Sequence, residues 1–565
     1  MKKKISFTTL LLCFFSFIYA QSDLYDEHPA FPYHLTAEEQ LLMHTLPEKA
    51  ARHFTVAPQG PVNAVAEFQP MEGVVIAYPL GIPVNLVNQL SQITKVKVLV
   101  NSNSDANTAS SRFTQNGVNM SNVEFWNINH DSYWTRDYGP WFIIDGNDQV
   151  GIVDFTYNRP QRPNDDAAMN HIASNLNCTM YAMPMVHTGG NYMCDGYGTA
   201  ASTQLVLDEN PNETAASLCQ TAQYYLGIDQ YFFIDDPMDD YIYHIDCWAK
   251  FLDVDKVLVS QVPTSDYRYN DYEAAAAVFA NTTTPWGNHY QVYRVYAPGS
   301  GWQATPYTNS LILNDHVFVP QTGSQWDDDA IEVYQQAMPG YTIVPVMQTS
   351  SAVWENTDAL HCRTHEIADR GMLYIKHYPL LDVQELTDGT AVLTADIRAL
   401  SGQPLVTDSL LAYYRINDGA WQHVNLSPVG GTAYETSISG LQHLDTVDYY
   451  LFAKDQSGRR ECHPYIGAAD PHRFIVNTSD AHDAIAEFQG NANILLYPNP
   501  AVDHFVLRGE NLSEIRVYNA LGQLVETAKL HAGDNVFDCH TWTAGVYYLS
   551  IYTNSGEKIS RKIVK

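Results

Sequence analysis

The chain changes texture near residue 378, and this change rules out a single uniform fold. From about residue 62 to 376, strand-like runs (GVVIAYP, VKVLV, KVLVSQV, SLILNDHVFVP) mix with helical ones (PVNLVNQLSQI, DDDAIEVYQQAM). Repeated strand and helix units of this kind predict an α/β domain, although no fixed-period sequence repeat is visible. Beyond 378, alternating strands and hairpin turns take over. SLLAYYRINDGAWQHVNL carries Asn-Asp-Gly between two alternating runs, a strong hairpin signal. TAYETSISGL and TVDYYLFAKDQSG follow at sandwich-like spacing, so 378–476 reads as an immunoglobulin-like β-sandwich. A chain of 565 residues is also too long for one compact core.

The opening stretch MKKKISFTTLLLCFFSFIYA has three lysines, an apolar run and Ala20 before Gln21, the pattern of a secretory signal peptide over 1–20. No other stretch approaches membrane-spanning length, so a soluble, exported protein without a transmembrane segment is expected. Residues 21–61 are polar and Pro-dotted, with one helical pattern, TAEEQLLMHTL, and read as a pro-segment or mobile arm. Residues 477–490, NTSDAHDAIAEFQG, read as a linker. The net charge of −32 argues against nucleic acid and anionic membranes as partners and favours cationic ligands. Cysteines 178, 194, 219, 247, 362, 462 and 539 remain after the first twenty residues, an odd number at wide spacing with no CxxC pair. This is no disulfide scaffold, and at least one thiol is left over, with Cys362 the first candidate.

Five stretches between 62 and 377 hold groups capable of chemistry. SYWTRDYGPW contains Trp134, Arg136 and Asp137; TGGNYMCDGYG is a glycine-rich loop without either phosphate-loop signature; YIYHIDCWAK sets His244 and Asp246 two apart, on one face if this is a strand. TPYTNSLIL carries Asn309 at the start of an apolar strand, and TDALHCRTHE sets Cys362 between His361 and His365. Each has a plain structural reading: a hydrogen-bonded pair for HxD, a positive-φ turn for TGGN, a helix cap for Asp137. A structural zinc at His361, Cys362 and His365 lacks a fourth ligand and a second cluster to supply it. A nucleophilic Cys362 needs a base and an electrophile. Paired carboxylates such as Asp137 and Asp246, with an aromatic such as Trp134, suit a planar cation, because a carboxylate pairs bidentately with a guanidinium.

The ordered set W-T-R-D, T-G-G-N-Y, H-I-D-C-W, P-Y-T-N-S and D-A-L-H-C-R-T-H-E resembles the guanidino-group-modifying enzymes, and within them the Porphyromonas-type peptidylarginine deiminases. The resemblance implies a five-bladed, pseudo-symmetric α/β propeller over 62–377. It implies that Cys362 attacks the guanidinium carbon of arginine, that His244 is the general acid and base, and that Asp137 and Asp246 grip the guanidinium nitrogens. It further implies that Asn309 supports the site, that Trp134 and Tyr241 line the pocket, and that no cofactor or metal is needed. The histidines beside Cys362 then become bystanders. Residues 491–565, opening on YPNP and containing VYNALGQLV, resemble the C-terminal β-sandwich sorting domain of type IX secretion. That likeness implies the type IX machinery as a partner and a secreted or outer-membrane surface location.

One segment departs from the relatives. FTYNRPQRPNDD matches a stretch whose two arginines hold a substrate's free α-carboxylate, but here Pro160 and Gln161 put one extra residue between Arg159 and Arg162. A loop can absorb that residue, or it can misplace one guanidinium. The expected substrates are peptides or proteins bearing arginine, C-terminal arginine above all, with free arginine as a further candidate. Agmatine deiminase is the nearest rival. An arginine-specific cysteine protease would take its histidine from a His-Gly pair, and none of the 21 histidines precedes glycine. A non-catalytic surface adhesin would require all five motifs to be vestigial.

Overall fold

A computed structural model describes residues 54–238, 242–299, 305–478 and 494–565, apart from 498, 500, 502, 520–522 and 556–557. The expected signal peptide, nearly all of the expected arm, most of the linker and Tyr241 lie outside these residues. The described part up to Asp382 forms one compact unit with Ala391–Ile438 and Asp445–Ile475; Val383–Thr390, Ser439–Leu444 and Val476–Lys565 form a second.

The α/β part of the first unit repeats one local pattern in five sheets. In each, a short strand pairs antiparallel with a central strand, and a helix leads from that strand to a parallel neighbour. Met193–Cys194, Thr199–Thr203 and Gln230–Ile234 make one such sheet, with helix Ala215–Leu226 as the crossover. Ala249–Asp253, Lys256–Gln261 and Gln291–Tyr296 make another around helix Tyr269–Ala280. Leu311–Leu313, His316–Gln321 and Thr342–Met347 follow, around helix Asp327–Ala337. Trp141–Ile144, Val150–Tyr157 and Thr179–His187 repeat the pattern around helix Pro163–Leu176, with Asn63–Ala64 added at the edge. The fifth sheet joins the two ends of the region, because His365–Ala368 pairs antiparallel with Met71–Tyr78, which runs parallel to Lys95–Val100.

Local chemistry accounts for these elements. Pro83 precedes helix Val84–Ile93, which buries Leu86, Val87 and Leu90 along one stripe. Thr214 and Ser217 form a reciprocal capping box on Ala215–Leu226. That helix ends on Gly227 at φ +69°, where a Cβ would meet the Val62 carbonyl at 1.9 Å. Three aspartates fill the first turn of Asp327–Ala337, where the helix dipole favours negative charge. The central strands are buried on both faces, which is why they read as apolar runs rather than alternating ones.

Still in the first unit, the predicted hairpin forms between Leu411–Ile416 and Gln422–Asn425, with Asn417 and Asp418 at positive φ. Leu411–Ile416 also pairs with Thr446–Lys454, and Ala391–Ala399 lies between Leu373–Lys376 and Ala433–Ile438 in a separate sheet. Three buried histidines knit these strands to the α/β part. His463 Nδ1 lies 2.9 Å from His472 Nε2, Tyr197 Oη 2.6 Å from His463 Nε2, and Tyr449 Oη 3.0 Å from His377 Nε2. Burial pushes all three imidazoles below their ordinary range, His377 to about 4. A histidine held neutral in the fold protonates more readily once unfolded, so stability is full above about pH 6.5 and is lost as pH falls from there towards 4. The melting temperature should drop between pH 7 and 5, with His377 alone costing about 2 kcal/mol by pH 5. An identical pH profile in a His472→Asn variant would count against the cluster as the cause.

The second unit carries a small β structure with its own core. Its sheets are Leu495–Tyr497, His504–Gly509 and Gly533–Asp538, and Leu524–Lys529, Leu512–Tyr518, Val546–Thr553 and Lys558–Val564. Phe505, Leu507, Ile515, Val517 and Ile551 are fully buried between them.

Candidate active site

Cys362 sits in the turn before strand His365–Ala368, fully buried. Asn309, just ahead of strand Leu311–Leu313, organises that turn. Its Oδ1 accepts the backbone N–H groups of Ala359 (2.9 Å), His361 (3.0 Å) and Cys362 (3.3 Å), while its Nδ2 donates to Cys362 Sγ at 3.0 Å. One amide therefore fixes both the backbone and the sulfur. Asn309→Ala would strip the buried N–H groups of Ala359 and Cys362 of their acceptor, while His361 N–H keeps the Asn309 carbonyl at 3.2 Å, and a loss of about 3 kcal/mol follows, measurable as a lowered denaturation midpoint. An unchanged midpoint would show that the turn holds itself.

Around the sulfur stand two carboxylates. Cys362 Sγ–H faces Asp358 Oδ1 at 3.0 Å and Asp246 Oδ2 at 3.4 Å. Burial first, then the neighbouring Cys247 thiol and these two acids, pushes the Cys362 thiol well above its ordinary pKa. This surrounding favours the thiol form, and an incoming cation would favour its ionisation.

His244 and Asp246 do not share a strand face, because the stretch that holds them is not a strand. His244 leads into a 3₁₀ turn, Ile245–Cys247, before strand Ala249–Asp253 begins. The turn is entered through Tyr243 at φ +51°, a left-handed conformation rare for an aromatic residue. His244 Nδ1 lies 3.6 Å from Asp137 Oδ1, and both ring nitrogens and that oxygen are buried without a hydrogen-bond partner. Burial, then the charge of Asp246, raises Asp137 to about 7 against the opposing pull of Arg159 and Arg162. Burial, then Arg159 and His187, drives His244 well below the ordinary imidazole value. Buried polar atoms left without a hydrogen bond, one on the acid and two on the base, suit a site that takes a ligand.

The glycine loop provides the clearance between them. Gly189 N–H donates to the Asp137 carbonyl at 2.8 Å. A Cβ on Gly190 would stand 2.6 Å from His244 Nδ1 and 2.7 Å from Asp137 Oδ1. The TGGN motif is a steric window, not a phosphate cradle.

Arg159 and Arg162 are both buried, and both act electrostatically on Asp137. Arg162 N–H donates to the Arg159 carbonyl at 3.0 Å, so Pro160 and Gln161 lie in a tight turn between them. Trp134 is also buried, but its indole faces the protein's own Arg363, whose guanidinium carbon lies 5.0 Å from that ring, 5.2 Å from Tyr133 and 5.3 Å from Trp354. All seven described cysteines are free thiols.

Several contributors were given no role from the sequence. His361, set aside as a bystander, donates or accepts at Asp246 Oδ2 through Nδ1 (2.7 Å) and at Glu67 Oε2 through Nε2 (3.1 Å). Glu67 in turn pairs with Lys250 at 2.6 Å and accepts the Ile312 N–H at 2.7 Å. Asp246 is therefore backed by a buried chain of polar groups. Arg136 joins the Asp137 turn to the Cys362 turn by donating to both oxygens of Glu366 and, through its N–H, to the Cys362 carbonyl at 3.2 Å. Burial alone would raise Glu366, but Arg136 brings it down to about 2.

Comparison with known proteins places this geometry. A family model described as Porphyromonas-type peptidyl-arginine deiminase matches residues 65–367, and one described as a secretion system C-terminal sorting domain matches 495–565. A protein named "Putative agmatine deiminase" from Yersinia pseudotuberculosis is 26% identical over 283 residues, covering 44% of this chain and 77% of that protein. The agmatine deiminase of Medicago truncatula is 24% identical over 308 residues, covering 46% of this chain and 82% of that protein. An X-ray structure titled in the same words as the Yersinia protein superposes with a TM-score of 0.51 at 20% identity, covering 56% of this chain and all of that one, which shows a shared fold.

Proposed function

The chain belongs to the Porphyromonas-type peptidyl-arginine deiminase family, and from that premise we propose that it converts peptidyl arginine, C-terminal arginine in particular, to citrulline and ammonia. Deiminase chemistry on a guanidino C–N bond is the family's, and the sorting domain marks the chain for type IX secretion to the outside or the cell surface. The observation that carries the finer reading is a set of buried atoms around a held thiol: Asp137 Oδ1 and both His244 ring nitrogens make no hydrogen bond, while Asn309 fixes Cys362 beside Asp246.

A guanidinium entering between Asp137 and Asp246 brings the positive charge that both buried acids require. It also lowers the cost of ionising Cys362, whose sulfur then bonds to the guanidinium carbon. The thiol proton is relayed through His244 to a terminal nitrogen, the C–N bond breaks, and ammonia leaves. The thiouronium on Cys362 is opened by water, which gives its proton to His244. The C–S bond breaks as the remaining hydroxyl proton passes to the departing sulfur, His244 gives its proton to solvent, and citrulline and the free Cys362 thiol are left. His244, neutral at rest through burial, is in the state needed to accept the first proton.

Arg159 and Arg162, both buried and both acting on Asp137, support a substrate with a carboxylate, a group that guanidinium forks hold well and that agmatine lacks. The second reading, agmatine deiminase, is favoured by the named relatives. Assays of ammonia release from a C-terminal arginine peptide, an internal arginine peptide and agmatine separate the two. Arg159→Ala and Arg162→Ala should each lower kcat/KM for the C-terminal peptide by about 10- to 100-fold and leave the internal peptide little changed. Equal turnover of both peptides by the wild type would defeat the C-terminal preference, and faster turnover of agmatine would defeat the peptide reading.

Within this proposal, 1–20 is a signal peptide and 62–377 a catalytic domain whose five sheets are the blades of an α/β propeller. Residues 378–476 form an immunoglobulin-like domain, and 491–565 the sorting domain. Tyr241 and Trp134 are proposed to line the pocket.

A further inference from the structure

The turn that presents His244 and Asp246 continues into Cys247, a second buried thiol that the deimination chemistry does not use. Cys247 Sγ, Cys362 Sγ and a carboxylate oxygen of Asp246 lie within 4.8 Å of one another. Cys247 Sγ is 3.6 Å from Asp246 Oδ1 and 3.8 Å from Asp358 Oδ1; Cys362 Sγ is 3.4 Å from Asp246 Oδ2 and 3.0 Å from Asp358 Oδ1.

These separations have a meaning in coordination chemistry. An ion bound tetrahedrally at about 2.3 Å from sulfur and about 2.1 Å from oxygen holds its sulfur and oxygen ligands about 3.6 Å apart. The four S···O distances bracket that value. Two sulfurs exclude calcium and magnesium, which need six or more oxygens, and select a thiophilic cation. The Asp246 carboxylate is itself oriented by His361 at 2.7 Å, the outer-shell support that ligating carboxylates have.

We propose that Asp246, Cys247 and Cys362, with Asp358 on the remaining side, form a closed site for a thiophilic divalent cation of the zinc type, and that occupation of this site silences the enzyme. The cation is an inhibitor here, not a cofactor: it takes the sulfur that must attack carbon and the carboxylate that must hold the guanidinium. Binding replaces two S–H bonds with two metal–sulfur bonds and releases two protons to solvent, so affinity rises with pH. The inhibition rests on the deiminase reading, whereas the binding does not.

The test uses the full chain, stripped with EDTA and titrated with Co²⁺. One equivalent should produce a thiolate-to-cobalt charge-transfer band, lost in Cys362→Ala and weakened in Cys247→Ala. Zn²⁺ should displace the band, protect Cys362 from iodoacetamide and inhibit ammonia release, with EDTA reversing all three. Cys247→Ala, measured against its own zinc-free turnover, should need at least about tenfold more Zn²⁺ for the same fractional inhibition. Absence of the band in the wild type, or equal zinc sensitivity in Cys247→Ala, overturns the proposal. Should Cys247→Ala fail to fold, the intensity of the wild-type band, two thiolates against one, still decides. If no guanidino substrate is turned over, the reaction is misassigned while the cobalt titration continues to judge the site.

Discussion

Cys362→Ala should lose citrulline formation by a factor on the order of 10⁴ or more, with its melting temperature within a few degrees of the wild type. The expectation follows from how the sulfur is held. Its removal leaves Asn309 Nδ2 without its contact, but the three backbone bonds to Asn309 Oδ1 do not involve sulfur and persist. Structure and chemistry are thereby separable at this residue. Cys362→Ser tests the same point from the other side: the hydroxyl can still accept from Asn309, yet it is a far weaker nucleophile, so binding should survive and turnover should not. Retention of citrulline formation by the alanine variant would refute the covalent route outright.

Gly190→Ala should also be severe, through a different cause. The added methyl would stand 2.6 Å from His244 Nδ1 and 2.7 Å from Asp137 Oδ1, so the imidazole and carboxylate must move apart. Displacement of a reacting group by about 1 Å costs about 100-fold in rate. Because the collision is with side-chain ends rather than backbone, the fold should tolerate it, and kcat should fall far more than the melting temperature. Gly189→Ala is the contrasting control. There the methyl would meet the Arg136 carbonyl at 2.0 Å, so stability should fall together with activity. If both variants behaved alike, the window between His244 and Asp137 would not be what Gly190 protects.

The motif residues were legible because each reactive group sits in a distinctive short string: Asp137 in WTRD, His244 and Asp246 in HIDCW, Asn309 in PYTNS, Cys362 in HCRTHE. Their partners were not. Glu67 meets His361 across 294 positions and Lys250 across 183, and nothing near Glu67 distinguishes it from a surface acid. His361 could not be weighed against its neighbours from spacing alone, since its role depends on where Asp246 lands. Whether the HxD pair lies on a strand stays open from spacing, because period-two reasoning cannot see a 3₁₀ turn entered through a positive-φ tyrosine. The fivefold repetition of the sheet pattern left no sequence period because each unit demands only a buried strand, a helix of suitable length and a second strand. Many sequences satisfy that demand. The β-rich half was easier to read: Asn417 and Asp418 announce their hairpin locally.

The strand His365–Ala368 begins three residues after the nucleophile and pairs with Met71–Tyr78, near the start of the α/β region. The chain thus delivers its attacking atom last, on the same segment that joins the two ends of that region. On the proposed deiminase reading, a polypeptide emerging amino-terminus first carries Asp137, His244 and Asp246 long before Cys362. No partial product of synthesis would then hold the whole proposed site, and a first turnover would report that Cys362 had joined it.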